Sequence, residues 1–243
     1  MFRGAGTLIN IAAIILGGFL GMQGGSKLSL RARTLITDLL GCVTLLGAAD
    51  AARNIWNVDF SENVPAGWTI LGTLAALLLG GLVGTALRIE DRLEGFGENL
   101  KKRFGGEEHS FIAGFMAASL LFVIGPLAIL GSISDGMGTG ITQLTLKSTL
   151  DFFAALAFAS TFGMGVLASA IPVGIYQGLW TLVGLGLGNV MASYQVAAMT
   201  AVGGVLLFGI ALRLLNIKQI RIGDLLPSLF FAPMIALIVH QFI

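Results

Sequence analysis

Charge is scarce in this sequence. Asp, Glu, Lys and Arg make up only 11% of it, against about 25% in a soluble domain. Such a chain cannot dress a globule in solvated groups, so an ordinary water-soluble domain is excluded. Cysteine is scarcer still. Cys42 stands alone, which excludes an intramolecular disulfide and any cysteine-cluster metal site; it reads as a small apolar packing residue. Of the two histidines, His109 and His240, neither has a second ligand at metal spacing. No metal and no cofactor is therefore expected. No serine-nucleophile motif, P-loop or dinucleotide fingerprint stands in a fitting context, since Gly184, Gly186 and Gly188 lie inside an apolar run and not between a strand and a helix. An enzyme is not expected, and no catalytic residue is assigned. With a net charge of +1, nothing global points to nucleic acid.

What is abundant is apolar sequence. The chain is 56% hydrophobic and holds 35 glycines, a residue that transmembrane helices tolerate and use for close packing. Long apolar runs between short charged patches specify an all-α integral membrane protein whose main partner is the lipid bilayer. With about 20 apolar residues per crossing, spans are read at 5–22, 35–52, 66–87, 111–130, 149–170, 173–192, 196–215 and 225–242, eight in all. The fifth and sixth form one run, divided at Pro172, where a helix kinks or turns. The first run has an early Arg3 and an apolar core, as a signal peptide would. It lacks a small-x-small cleavage site and carries Asn10 inside, so it is read as a retained first helix.

Sorting Lys and Arg between these spans puts eleven on one side (Lys27, Arg31, Arg33, Arg88, Arg92, Lys101, Lys102, Arg103, Arg213, Lys218 and Arg221) and three on the other (Arg3, Arg53 and Lys147). The richer side is cytoplasmic by the positive-inside rule, so both termini face outward. The alternative is seven spans with one run re-entrant. In the loop 88–110, Ile89, Leu93, Phe96, Leu100 and Phe104 recur every three or four residues among charges. That pattern predicts an amphipathic helix at the membrane surface, or one that docks a partner.

The chain reads as a single transmembrane domain, 1–243, with internal symmetry. Gly41–Ile55 and Gly203–Ile217 are identical at seven of fifteen positions. Each lies in the middle span of a three-span group, 5–87 and 173–242, and the eight-span topology would invert one against the other. An inverted repeat around a central pair, 111–170, is a transporter architecture. Chance is the rival account, because small and aliphatic residues match easily. LGGFLG at 16–21 and LGGLVG at 79–84 place small residues four apart, which reads as helix packing.

The central pair holds the most broken stretch. Gly125 and Pro126 interrupt one apolar run, and Gly131 through Gly136 to Gly140 propagate a helix poorly, so this region and Pro172 are the expected helix breaks. Ionisable groups in spans are functional candidates. Lys147 and Asp151 are four apart on one helix face and either pair or serve a solute. Asp135 is a candidate ligand or a turn and cap residue. Ser169 and Gln177 flank the Pro172 turn. Asp135, Lys147, Asp151, Ser169 and Gln177 are thus the candidate solute-binding residues. Asn10 reads as helix glue.

The chain resembles the bacterial multi-pass membrane family known as domain of unknown function 554, the YqgA/YdfK type. The resemblance is carried by GTLINIAAIILGGFLG, FVIGPLAILGSISDG, KSTLDFFAALAFASTFGMGVLASAIPVGIYQG and IKQIRIGDLLPSLFFAP, and it covers essentially the whole chain. It implies a bacterial inner-membrane protein and brings no catalytic residues. The expected function is a small-solute or ion transporter, acting as a homodimer because one copy is small. The alternative is a non-transporting membrane scaffold, assembly factor or sensor.

Overall fold

The computed structural model describes residues 2–25, 28–65, 67–104, 108–187 and 191–242, so Lys27 lies outside the described residues, as do the side chains of Phe104, His109 and Pro126. Among the described residues all regular structure is helical. The helices are α1 (Ala5–Gly25), α2 (Leu30–Ala52), α3 (Val58–Asn63), α4 (Trp68–Leu87), α5 (Ile89–Phe104), α6 (Glu108–Val123), α7 (Pro126–Met137), α8 (Thr142–Phe162), α9 (Met164–Ala168), α10 (Ala170–Leu187), α11 (Ser193–Leu214) and α12 (Ser228–Phe242), with 3-10 turns at Arg53–Trp56 and Gly223–Leu225. Six of the described stretches are long and apolar enough to cross a membrane, and α6 with α7, bent by 61°, would make a seventh. The expected span that is not among these, the fifth, read at 149–170, falls mainly on α8. That helix has 21 residues, but its hydroxyls, Lys147 and Asp151 lower its apolarity. Leucines and phenylalanines stand exposed along α1, α2, α4, α8, α10 and α12, an exterior suited to lipid.

Two expected breaks move. The run around Pro172 is not divided there. Its break is at Gly163, with φ +67, and Pro172 sits in the first turn of α10, where a missing N–H removes no intrahelical bond. The break after α6 does fall at Ile124–Gly125, with Gly125 at φ +133. Gly131 and Gly136, however, are helical within α7, and the chain leaves that helix only at Gly138 and Gly140, both at positive φ. The two helical glycines are there for packing: a Cβ at Gly136 would stand 2.0 Å from the Thr181 carbonyl oxygen, and one at Gly131 would stand 2.9 Å from Leu144 Cγ.

The chain forms two compact units that interleave along the sequence instead of following the segments 5–87, 111–170 and 173–242: Met1–Leu40, Leu93–Val123 and Leu127–Val190 make the first; Gly41–Arg92, Ile124–Pro126 and Met191–Ile243 make the second. In the first unit α1 and α8 lie parallel and almost in backbone contact. Cβ atoms at Gly17, Gly21 and Gly25 would stand 2.3, 2.1 and 2.3 Å from the carbonyl oxygens of Phe152, Leu156 and Ser160. The expected small-residue packing stripe is therefore a seam for α8. Helix α6 runs antiparallel to α8, with Gly114 against Phe162 and Phe122 near Lys147, and its Phe111 meets Gly165 of α9. Helix α10 runs antiparallel to α1, with Gly174 against Ile11 and Thr181 bonded to Thr7. The α5 apolar face is partly covered, since Phe96 lies 6.1 Å from Phe115 between ring centroids.

In the second unit α11 is the buried axis. Helix α4 sets Gly80 and Gly84 on the backbone of Ser228 and Asp224. The two segments of matching sequence, Gly41–Ile55 and Gly203–Ile217, lie antiparallel, Gly41 against Leu215 and Gly204 against Ala52. At one end Glu90 accepts from Arg213 Nη1 at 2.6 Å and from the Gly223 amide at 2.5 Å. Asp224 accepts from the Glu90 amide at 2.9 Å and from Arg221 Nε at 2.7 Å. Arg221 also reaches Asp91, and these bonds, Asp224 first, push its pKa above the usual range. Pro227 precedes α12, whereas Pro233 lies within it.

Candidate functional site

The first unit holds a polar cluster deep among α1, α6, α8 and α10. Lys147 and Asp151 do pair: Nζ lies 2.7 and 3.0 Å from the two carboxylate oxygens, and both residues are 6% exposed. They lie on the second and third turns of α8, not at the mouth of a span beginning at 149, because the helix starts at Thr142. Asn10 Nδ2 donates to Asp151 Oδ2 at 2.9 Å, which realises the expected helix glue between α1 and α8. A carboxylate only accepts, so the amide nitrogen must face it and Asn10 Oδ1 is turned elsewhere. The Phe122 ring, its centroid 5.9 Å from Lys147 Nζ, adds a cation–π contact.

Around this satisfied pair lie unsatisfied groups. Asn10 Oδ1, Ser119 Oγ and both amide atoms of Gln177 are buried without a hydrogen-bond partner. Each such group costs about 1–3 kcal/mol when left dry. The helix registers bring them to one level. Gln177 is three residues after Gly174 and four before Thr181, so it lies on the α10 face that meets Ile11 and Thr7 of α1. That is the level of Asn10. Ser119 is one turn before Phe122 on α6, and Phe122 faces Lys147. Four helices thus each turn polar side chains toward one buried zone. Asn10 stood out in the sequence only as a polar interruption. Ser119 gave no signal, being a lone hydroxyl in AASLLF.

Two other candidates lie outside this cluster. Asp135 is buried and accepts from the amides of Gly4 (3.1 Å), Gly6 (2.9 Å) and Thr7 (3.4 Å). It neutralises the exposed N–H groups and dipole at the start of α1, and those bonds occupy the acceptor sites a solute would need. Asp135→Ala is expected to lower stability by about 2 kcal/mol, with Asp135→Asn losing less because its oxygen still accepts. Thermal unfolding in detergent would check this, and equal losses would argue against the cap. Ser169 is buried between α9 and α10 and donates to the Val166 carbonyl at 2.6 Å. Among the described residues no group of three or more His, Cys, Asp or Glu is disposed to hold a metal ion.

The chain is similar over 237 residues, at 29% identity, to the "Uncharacterized membrane protein YdfK" of Bacillus subtilis (strain 168), covering 98% of this chain and 97% of that protein. It is 31% identical over 233 residues to the "Uncharacterized protein YqgA" of Escherichia coli (strain K12), covering 93% and 94% respectively. No solved structure matches it. The profile of the family described as "Protein of unknown function (DUF554)" matches residues 5–237. With that match over nearly its whole length, this all-helical membrane protein belongs to the DUF554 family.

Proposed function

We propose that the chain is a small-solute or ion transporter of the bacterial inner membrane, with its solute site at the Asn10–Lys147–Asp151 cluster. The observation that carries this reading is the company of a buried ion pair and unpartnered Asn10, Ser119 and Gln177 atoms in one zone. A protein built only to hold its helices together gains nothing from orphan donors and acceptors in its interior. A solute or ion entering that zone would meet Asp151 and Lys147 as charges of either sign and the orphan groups as hydrogen-bonding partners. In the closed arrangement Lys147 and Asp151 satisfy each other; in the loaded one a proton, cation or anion takes one of them. Asp135 and Ser169 then position α1 and α10 and do not touch the solute.

The repeat supports this reading. An offset of 162 residues would carry the Gly41–Leu215 contact onto a pair at 203 and 53, one residue from the observed Gly204–Ala52 contact. Such symmetry suits alternating access. Both termini are taken to face outward, with Arg33 and Arg213 toward the cytoplasm, and two copies are taken to associate as a homodimer.

The test is uptake into proteoliposomes of small organic anions, amino acids and monovalent ions, with and without a pH gradient. Wild type is expected to transport a member of this panel. Asp151→Asn and Lys147→Met, checked for folding, are expected to lose flux at least about tenfold, the equivalent of one 1.4 kcal/mol contact. The pair is enclosed and self-satisfied, which favours the scaffold or sensor reading as the second. Under that reading these substitutions change stability alone and no panel member moves.

A further inference from the structure

A recess at the Arg33 end of the first unit shares one wall residue, Met164, with an apolar groove along α1. The recess, of about 250 Å³, is lined by Arg33, Ser110, Ser160 and Thr161 with Met22 and Met164. The groove, of about 550 Å³, is lined by Ile11, Ile15, Leu167, Ile171 and Ile175, and again by Met164. On α1 the contributing residues are Ile11, Ile15, Met22 and Gly25. They are spaced four, seven and three apart, which keeps them on one helical face. From Met22 to Ile11 that face is about 16 Å long at 1.5 Å per residue, close to the roughly 15 Å of one leaflet's hydrocarbon.

We infer that recess and groove together bind one anionic phospholipid, its phosphate at Arg33 and an acyl chain in the groove beside Ile15 and Ile171. Arg33 is held for this task. Its Nη2 donates to the Gly25 carbonyl at 2.9 Å, and its own carbonyl accepts from Thr161 Oγ1 at 3.3 Å. Its Nε is buried with no partner. The guanidinium is therefore oriented but under-used, and a phosphate entering the recess supplies the missing acceptor once the side chain turns its Nε toward it. Ser110 Oγ, 3.4 Å from the Phe162 carbonyl, adds a hydroxyl that can turn toward the headgroup. The break at Gly163 opens the wall between α8 and α9. Neither half specifies a lipid alone. A bare anion would ignore the groove, and a zwitterionic lipid brings beside its phosphate a choline cation that Arg33 repels.

Native mass spectrometry of the full-length protein, released from nanodiscs of equal parts dioleoyl-phosphatidylglycerol and dioleoyl-phosphatidylcholine, tests this. Wild type is expected to retain about tenfold more phosphatidylglycerol than phosphatidylcholine. Arg33→Gln is expected to erase the preference. Ile171→Trp, which fills the groove and leaves Arg33 untouched, is expected to lower retention of both lipids. Should Arg33→Gln fail to fold, Arg33→Lys keeps a charge without the planar fork and is expected to show an intermediate preference. Equal retention of the two lipids by wild type would overturn the proposal. So would retention unaffected by Ile171→Trp, or phosphatidylglycerol displaced fully by millimolar inorganic phosphate, which would mark an ion site only.

Discussion

Asp151→Ala is expected to destabilise the protein by about 3–5 kcal/mol, the cost of leaving a buried charge without its counter-ion. Lys147 Nζ holds both carboxylate oxygens, within 3.0 Å, in a setting that leaves each residue 6% exposed. Removing the carboxylate strands an ammonium beside the Phe122 ring and an Asn10 amide that had Asp151 as its acceptor. The Asp151→Leu, Lys147→Met double variant is expected to be closer to wild type, because an apolar pair of similar volume carries no desolvation penalty and only the Asn10 amide is left without its acceptor. Unfolding in mixed detergent micelles measures both, and the coupling in the closed cycle of Asp151→Leu, Lys147→Met and the double variant should exceed about 2 kcal/mol. Additive losses, or a single variant costing less than about 1 kcal/mol as an exposed pair would, would remove the buried-pair account. The double variant also serves transport. It is a folded chain without either charge, so its silence in the uptake assay reports the loss of the site rather than of the fold.

Why the sequence led to Lys147 and Asp151 and missed Ser119 has a physical explanation. A charge four residues from its opposite, inside an apolar run, is costly enough to be conspicuous. A serine in such a run is cheap, since its hydroxyl ordinarily returns to a carbonyl one turn back, as Ser148 does to Leu144 and Ser132 does to Ala128. Only the fold reveals that Ser119 has no such bond. The union of Asn10 with Asp151 spans 141 residues, and no local pattern encodes it. The helices read at 5–22, 66–87, 196–215 and 225–242 were legible to within a few residues because bilayer thickness sets their length, whereas the one read at 149–170 begins seven residues earlier, at Thr142. Glycine was the weak letter. The same residue that leaves the helix at Gly138 and Gly163, with φ of +76 and +67, stays within it at Gly131 and Gly136. Position in a sequence does not say whether a missing Cβ serves a turn or a neighbour. Pro172 misled for the related reason that a proline closes one helix and opens the next equally well.

The α1–α8 seam gives the second large effect. Gly21→Leu is expected to cost about 3 kcal/mol, at the upper end for over-packing. Its Cβ would lie 2.1 Å from the Leu156 carbonyl oxygen, which is backbone and cannot rotate aside. The helices would have to part along the line where Gly17 and Gly25 also touch α8. Gly24→Leu is the control on the same helix. Nothing lies within 4 Å of its added Cβ, so it is expected to be neutral or to gain up to about 1 kcal/mol from helix propensity. Gly18 falls between, since its Cβ would meet the tip of the Leu167 side chain, which can swing away. Equal tolerance at positions 18, 21 and 24 in a thermal-unfolding series would mean that the stripe does not hold α1 to α8. The graded loss is expected to extend to transport. Asn10 reaches Asp151 from α1 over 2.9 Å, so a helix displaced by even a methyl's width withdraws the amide from the carboxylate. Gly21→Ala, with the smallest possible side chain, should therefore lower flux more than its stability loss predicts. If flux instead tracked the folded fraction alone, the Asn10–Asp151 bond would be structural and have no part in handling the solute.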